Sequence, residues 1–376
     1  MYIYQHYKWP AFGWNIEKIT PLLAAVSHKQ GRLSGRMGAL GFRLQEEAQL
    51  LTLTQDVLKT SEIEGEVLNH EQVRSSIARK LGMDIGSTIP SDRHVDGVVE
   101  MLFDATRHYT QPLTAARLFG WHAAMFPTGY SGMYKITVGN WRNPQAGPMQ
   151  VVSGAMGRET VHFEAPSAER VPTEMRTFLD WFNEAPSQDP VLKAAIAHLW
   201  FVTIHPFDDG NGRIARAITD LQLARADKNE QRFYSMSAQI QKERKAYYIM
   251  LEKTQKGNLD ITEWLVWFLT CLDKALSGAD EVLSSVLNKA RYWAFFAEKT
   301  LNDRQKMMLN KLLDGFEGKL NTSKWAKITK VSSDTALRDI QNLEQQQILQ
   351  KEEGGGRSTS YQLASLENTH SNQSPP

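Results

Sequence analysis

His205-Pro-Phe-Asp-Asp-Gly-Asn-Gly-Arg-Ile-Ala-Arg216 is the stretch on which the reading of this chain turns. It lies between two helical patterns. Gly210-Asn-Gly212 permits unusual backbone angles at successive positions, so several N–H groups can point at one spot and form an anion nest. A helix starts there, and its positive end faces the same spot. Arg213 and Arg216 are three apart, so they share a helix face and can both reach a phosphate. Asp209 adds a carboxylate suited to Mg²⁺ with phosphate oxygens as co-ligands. His205 supplies a base near neutral pH. Together these residue types suggest phosphoryl or nucleotidyl transfer. The plain alternative is a glycine-rich turn with His205 and Asp209 as surface polar groups.

Outward from this stretch the chain reads as mainly helical. Asp189-Pro190 opens the preceding helix, with an N-cap residue and Pro at the first helical position. Val191, Leu192, Ala195, Ile196, Leu199 and Trp200 cover much of its circumference, so it is expected to be central and buried. The following helix runs to about Arg225, and residues 241–275 add at least two more. Further upstream, Pro172 to Phe182, Thr114 to Met125 and Val95 to Tyr109 read as helices. Residues 31–80 do too, on a stripe of Leu40, Leu44, Ala48, Leu51 and Gln55. Residues 1–30, with Tyr2, Tyr4, Tyr7, Trp9, Phe12 and Trp14, read as an aromatic packing cap. Gly82, Gly86 and Pro90 break the chain. Met149-Gln-Val-Val152 and Thr160-Val-His-Phe163 flank Gly154 and Gly157 as a β-hairpin. Near residue 280 the composition shifts. Asn302 to Leu313, Thr322 to Ile328 and Ser332 to Gln345 read as helices. Ile348-Leu-Gln-Lys351 and Thr359-Ser-Tyr-Gln-Leu363 flank Gly354-Gly-Gly356, which makes a winged helix. The end of the chain, Ser-Asn-Gln-Ser-Pro-Pro376, reads as disordered.

The stretch at 205–216 resembles the motif of the Fic family, His-x-Phe-x-(Asp/Glu)-Gly-Asn-Gly-Arg-x-x-Arg, at every fixed position. The resemblance implies protein adenylyltransfer, in which AMP passes from ATP to a Ser, Thr or Tyr hydroxyl of a protein. It implies that His205 is the base and Phe207 a core anchor. It makes Asp209 the Mg²⁺ ligand and Gly210, Asn211 and Gly212 the phosphate cradle. Arg213 and Arg216 become further phosphate contacts, with Arg216 serving the γ-phosphate. Upstream, Thr60-Ser-Glu-Ile-Glu-Gly65 resembles the family's inhibitory motif, (Ser/Thr)-x-x-x-Glu-(Gly/Asn), which implies that Glu64 pairs with Arg216. An arginine held by a carboxylate cannot also hold a γ-phosphate. Ser61 and Glu64 also fit a helix capping box.

The hairpin stands where Fic proteins carry a flap that holds the target by strand addition. Val161, His162 and Phe163 are its candidates, with an ordinary surface hairpin as the alternative. Lys245-Ala-Tyr-Tyr-Ile-Met-Leu-Glu252 resembles the Tyr-Tyr helix bordering the nucleotide, with Tyr247 or Tyr248 stacking on adenine. Gln255 stands where some relatives have Asn. The opening Tyr2-Ile-Tyr-Gln-His-Tyr-Lys-Trp-Pro10 resembles the start of a bacterial Fic subgroup with a C-terminal winged helix. The expected organisation is an N-terminal helical region over 1–90, a Fic core over 91–280, a winged helix over 290–363 and a tail over 364–376. The resemblance admits a homodimer, and other members remove AMP, phosphorylate or transfer other phosphate-linked groups.

Bulk properties bound the partners. A net charge of +1 on 376 residues supplies no global field for nucleic acid or anionic membrane. DNA contact would need a local patch, for which Ser332-Ser-Asp-Thr-Ala-Leu-Arg338 and Arg357 are candidates. That is the competing reading, a nucleotide-responsive DNA-binding regulator. The single cysteine, Cys271, lies in an apolar run and reads as core packing. No secretory signal opens the chain and no apolar run is long enough to span a bilayer, which points to the cytoplasm.

Overall fold

The first helix begins where Asn15 caps it, accepting hydrogen bonds from the N–H of Glu17 at 2.9 Å and of Lys18 at 3.3 Å. The computed structural model describes residues 1–85, 88–154, 158, 160–185, 187–316, 318–352 and 359–365. Helix α1 (Ile16–Gly38) occupies much of the region read as a cap. Pro21 hid it, because a proline inside a helix forgoes one backbone hydrogen bond and normally marks an end. The aromatic residues before it do form a packing cap. Tyr2 meets Phe163 edge-on at 5.1 Å, and Trp9 and Phe12 meet Trp200 at 6.1 and 5.8 Å.

The helical stretch 31–80 divides into the end of α1, then α2 (Phe42–Ile63) and α3 (His70–Leu81). The expected stripe on α2 is not its buried face. Gln55 is exposed, whereas Leu50, Leu53 and Val57 are buried together with Thr52, Thr54, Asp56 and Thr60. Some of the polar members find partners on neighbouring elements: Asp56 accepts from Ser235, and Thr60 accepts from Arg216. Helices α4 (Arg93–Arg107) and α5 (Ala115–Met125) follow, capped by the side chains of Asp92 and Thr114.

Two hairpins come next. The first, β1 (Tyr130–Ser131) with β2 (Tyr134–Lys135), was not anticipated. The second, β3 (Gln150–Ser153) with β4 (Thr160–Glu164), is the expected one. Its register slips at Val151/Val152, so His162 is the extra residue of a bulge. Gly157 lies outside the described residues, as does Gly86. Helix α6 (Val171–Asn183) leads to α7 (Pro190–Ile204), in which every residue from Val191 to Ile204 is buried. Helix α8 (Asn211–Asp227) packs along α7 and is followed by α9 (Met236–Lys242), α10 (Arg244–Gln255) and α11 (Thr262–Phe296). Cys271 is buried, as read. No helix among the described residues is long and apolar enough to cross a membrane.

The chain divides into two compact units, one formed by Met1–Met83 with Thr88–Val282 and the other by Asp84–Ser87 with Leu283–Pro376. The second contains α12 (Asp303–Leu313), α13 (Thr322–Thr329), α14 (Ser333–Gln345) and the hairpin β5 (Leu349–Lys351) with β6 (Tyr361–Leu363). Met308, Leu309, Trp325, Ile340, Leu343 and Tyr361 form its core. Leu320 bridges to Tyr361 and extends the wing. This is the winged helix expected. Gly354–Gly356, Arg357 and residues 366–376 lie outside the described residues.

Candidate active site

Helix α7 ends at His205, whose backbone turns left-handed, with φ 53° and ψ 59°. That turn throws the chain off α7 and into the loop to α8. Phe207 then plugs the loop into the core. Its ring is buried and stacks on His122 at 4.3 Å. Asn211 closes the loop, accepting from the N–H of Phe207 at 3.0 Å and donating to its carbonyl at 2.8 Å. Gly210, with φ 80°, starts α8.

Sequence reading missed two residues that hold this loop. Arg142 donates from Nε to the His205 carbonyl at 2.8 Å, and its backbone N–H donates to Pro206 O at 2.9 Å. His122 accepts at Nδ1 from Gly139 N–H and donates from Nε2 to the Asp209 carbonyl, both at 3.2 Å. One donor and one acceptor require a neutral ring. Burial pushes its pKa down to about 4, so it stays neutral. A lone His in an apolar helix and a lone Arg in a loop carry no spacing signal.

The His205 ring has a defined tautomer. Nδ1 lies 3.2 Å from the Val202 carbonyl, an acceptor only, so Nδ1 carries the hydrogen and Nε2 keeps its lone pair. Burial pushes the imidazole pKa below its ordinary value, and the nearby Arg142 charge adds to this.

Both motif arginines are buried and paired. Arg216 donates from Nε to Thr60 Oγ1 at 2.7 Å. Its Nη2 donates to the Thr60 carbonyl at 2.9 Å and to Glu64 Oε1 at 2.6 Å. Arg213 donates from Nη1 to Glu66 Oε2 at 2.9 Å. Arg213 Nε and Arg216 Nη1 are buried with no partner among the described residues. Glu64 presses against the start of α8, where a Cβ on Gly212 would overlap its Oε1. Glycine at 212 is therefore what admits this carboxylate.

Residues 60–66 sit at the C-terminal end of α2, which removes the capping-box alternative. Gly65 is left-handed at φ 86°, and Glu66 N–H donates back to Ser61 O at 3.0 Å. That is the glycine-terminated helix stop of a Schellman motif.

Asp209 fits a single-carboxylate Mg²⁺ ligand. Its side chain is 43% exposed, and among the described residues its carboxylate accepts from the N–H of Gly210 and the hydroxyl of Ser131, with Arg213 Nη2 at 3.9 Å. Lone pairs remain for a cation that keeps other oxygen ligands from phosphate and water.

Comparison with known proteins agrees with the Fic resemblance. The Fic/DOC family pattern matches residues 112–223. The chain carries a Fic domain. On its N-terminal side, residues 2–83 match a domain of unknown function, and Glu64 belongs to that segment. Residues 304–362 match a DeoR-like helix-turn-helix domain. Protein adenylyltransferase fic-1 of Caenorhabditis elegans is 29% identical over 217 residues, covering 56% of this chain and 40% of the relative. Protein adenylyltransferase Fic of Drosophila willistoni is 36% identical over 104 residues, covering 27% of this chain and 19% of the relative. The chain thus spans less than half the length of these curated relatives. A Fic family protein from Desulfovibrio desulfuricans shares the fold, with a TM-score of 0.52 and 20% identity over 93% of this chain and 96% of that one.

Around the Fic domain the other candidates divide. Val161 is 40% exposed on the hairpin, opposite the exposed Val152. His162 lies 2.8 Å from Glu252 Oε2 and 2.6 Å from Ser153 Oγ. Phe163 is buried against Tyr2 and Tyr4, so only its main chain can face a target. Tyr247 is not exposed for stacking. Its ring is buried, and its hydroxyl bonds His198 Nε2 at 2.8 Å. The helical period puts Tyr247 on the core face of α10 with Leu251 and Thr254. Tyr248, one step round, reaches Ile63 O at 3.2 Å and Glu64 Oε2 at 3.4 Å. Gln255 is buried and bonds Thr203 Oγ1 at 3.3 Å.

Proposed function

We propose that this protein transfers AMP from ATP to a hydroxyl side chain of a target protein, and that Glu64 holds it in an inhibited state. One observation carries the reading. The His205 ring, with Nε2 as its free lone pair, stands at the head of a loop and helix start that carries two arginines. In the proposed reaction the target hydroxyl oxygen attacks the α-phosphorus. The bond from that phosphorus to the bridging β-phosphate oxygen breaks, pyrophosphate leaves, and the hydroxyl proton passes to His205 Nε2. Gly210, Asn211 and Gly212 cradle the α- and β-phosphates with the help of Arg213, while Arg216 serves the γ-phosphate. Asp209 would hold Mg²⁺, which when bound neutralises charge on the phosphate oxygens. The β3–β4 hairpin, with Val161 exposed, would receive the target as an added strand. Tyr248 is the aromatic residue left to border the nucleotide.

The test is intact mass analysis of Glu64→Gly after incubation with ATP and Mg²⁺. A gain of one AMP is expected through self-modification. Gain of a single phosphate, or no gain on the chain or on added proteins, overturns the reading.

The pH profile follows from His205. The base works when neutral, and its pKa is depressed. The rate should therefore hold as pH falls through the ordinary histidine value of about 6.5 and be lost only below it. An acid limb of kcat centred above pH 7 would count against His205 as the base.

The helix-turn-helix match favours a second role for the C-terminal unit. On α14, Leu337, Arg338 and Gln341 are exposed, as a recognition face requires. Asp334 on the same helix weakens its basic character. A gel shift of the full chain that weakens steeply with salt would support DNA contact, and no shift at low salt would leave the unit as a protein-binding module.

A further inference from the structure

Arg216 and Arg213 are held by carboxylates in different ways. Arg216 gives two nitrogens to residues 60–64: Nε and Nη2 bond Thr60 and Glu64, and Nη1 is buried without a partner among the described residues. Arg213 gives only Nη1 to Glu66. Its Nε is buried without a partner among the described residues, and its Nη2 stands 3.9 Å from Asp209 Oδ2. Phe126 backs the guanidinium at 5.2 Å. A buried N–H donor is costly unless something accepts from it. Arg213 is thus fixed on one side and open on the other.

Glu66 is fixed in turn. Its Oε1 forms an ion pair with His94 Nε2 at 2.5 Å. His94 Nδ1 lies 2.9 Å from the Met125 carbonyl and so carries a hydrogen. Nε2 stands at ion-pair distance from the carboxylate without a well-formed hydrogen bond, and a second proton there would make the ring an imidazolium. The directions agree: the contact with Glu66 raises the His94 pKa, and the contact with His94 lowers that of Glu66. The charge count explains why a histidine is useful here. Arg213 and Glu66 alone would cancel and leave Asp209, 3.9 Å from Arg213 Nη2, uncompensated; a His94 imidazolium would offset that carboxylate.

We propose that Glu66, braced by His94, is a positioning residue that presents the open side of Arg213 to the phosphates of a nucleoside triphosphate. Glu64 competes with the nucleotide for its arginine, whereas Glu66 prepares one. The inference rests on the nucleotide reading above. Glycine at 65 places the two carboxylates on either side of the α8 start, one as lock and one as support.

The test is calorimetry of ATP with Mg²⁺ on the full chain carrying Glu64→Gly. Into it go Glu66→Gln, His94→Gln and Arg213→Ala singly, and Glu66→Gln with Arg213→Ala together. Glu66→Gln keeps the side-chain volume at a partly exposed position, so the fold should survive. It should weaken ATP about tenfold, as expected for loss of one charge-assisted contact. His94→Gln should weaken it in the same direction. The double variant should bind no more weakly than Arg213→Ala alone, because support without an arginine has nothing to act on. Unchanged or tighter binding by Glu66→Gln overturns the proposal, as does a double variant in which the two losses multiply. If the Glu64→Gly chain binds no ATP at all, the nucleotide reading fails and this one with it. If that chain binds ATP but is indifferent to Glu66, only this inference fails.

Discussion

Replacing Glu64 with glycine should raise AMP transfer about a hundredfold. The carboxylate holds Arg216 Nη2 at 2.6 Å and lies against Gly212, in the space where a phosphate oxygen would need the same guanidinium. Removing it frees one charge-assisted donor, worth roughly 2–3 kcal/mol, which corresponds to about 30- to 150-fold. Arg216 should stay in place, because Nε and Nη2 keep both hydrogen bonds to Thr60. Losing a partner of a buried charge has a cost, so the variant should melt a few degrees lower without nucleotide. ATP should restore much of that, since a ligand that binds only the folded state stabilises it. Incorporation of radiolabelled AMP and paired melting curves read both effects. Equal labelling by the two chains would remove autoinhibition from this account. Labelling that rises while ATP leaves the melting point unmoved would argue that Glu64 acts on something other than nucleotide binding.

The loop that carries this chemistry was legible because it is local. His205, Asp209, Gly210, Asn211, Gly212, Arg213 and Arg216 lie within one turn and one helix start, so spacing alone brings them together. Phe207 as anchor and α7 as a buried helix follow from apolar pattern in the same way. What the sequence withheld depends on where distant segments dock. Tyr247 and Tyr248 are adjacent on α10, and the partner that holds the inward Tyr247 hydroxyl, His198, comes from the distant α7. Arg142 and His122 act through backbone carbonyls far along the chain, and such contacts leave no spacing pattern. The buried side of α2 carries threonines and an aspartate, so an apolar stripe mislocates it. Ser61 and Glu64 fitted both a helix start and an inhibitory motif. The left-handed Gly65 ends α2 and so removes the helix-start reading.

The loss with the largest consequence should come from His205. Its Nδ1 is tied to Val202 O and its carbonyl to Arg142, so the ring can turn little and Nε2 stays the base. A positioned general base contributes about 10²- to 10⁴-fold. Here the acceptor is an alcohol, whose proton is far less acidic than imidazolium, so the upper part of that range applies. In the Glu64→Gly chain, His205→Ala should cut kcat by about 10³-fold or more. Alanine is strained at φ 53°, so a second variant separates chemistry from folding. Asparagine adopts the left-handed region more readily and lacks a base, so His205→Asn should melt with the parent and be equally inactive. Neither variant should change the dissociation constant for ATP by much, because in the proposed reaction the imidazole serves the acceptor rather than the phosphates. Single-turnover transfer and nucleotide titration on the same samples test the split. If His205→Asn kept a tenth of the parent rate, proton removal would belong to another group, and the loop would be a phosphate cradle without its base.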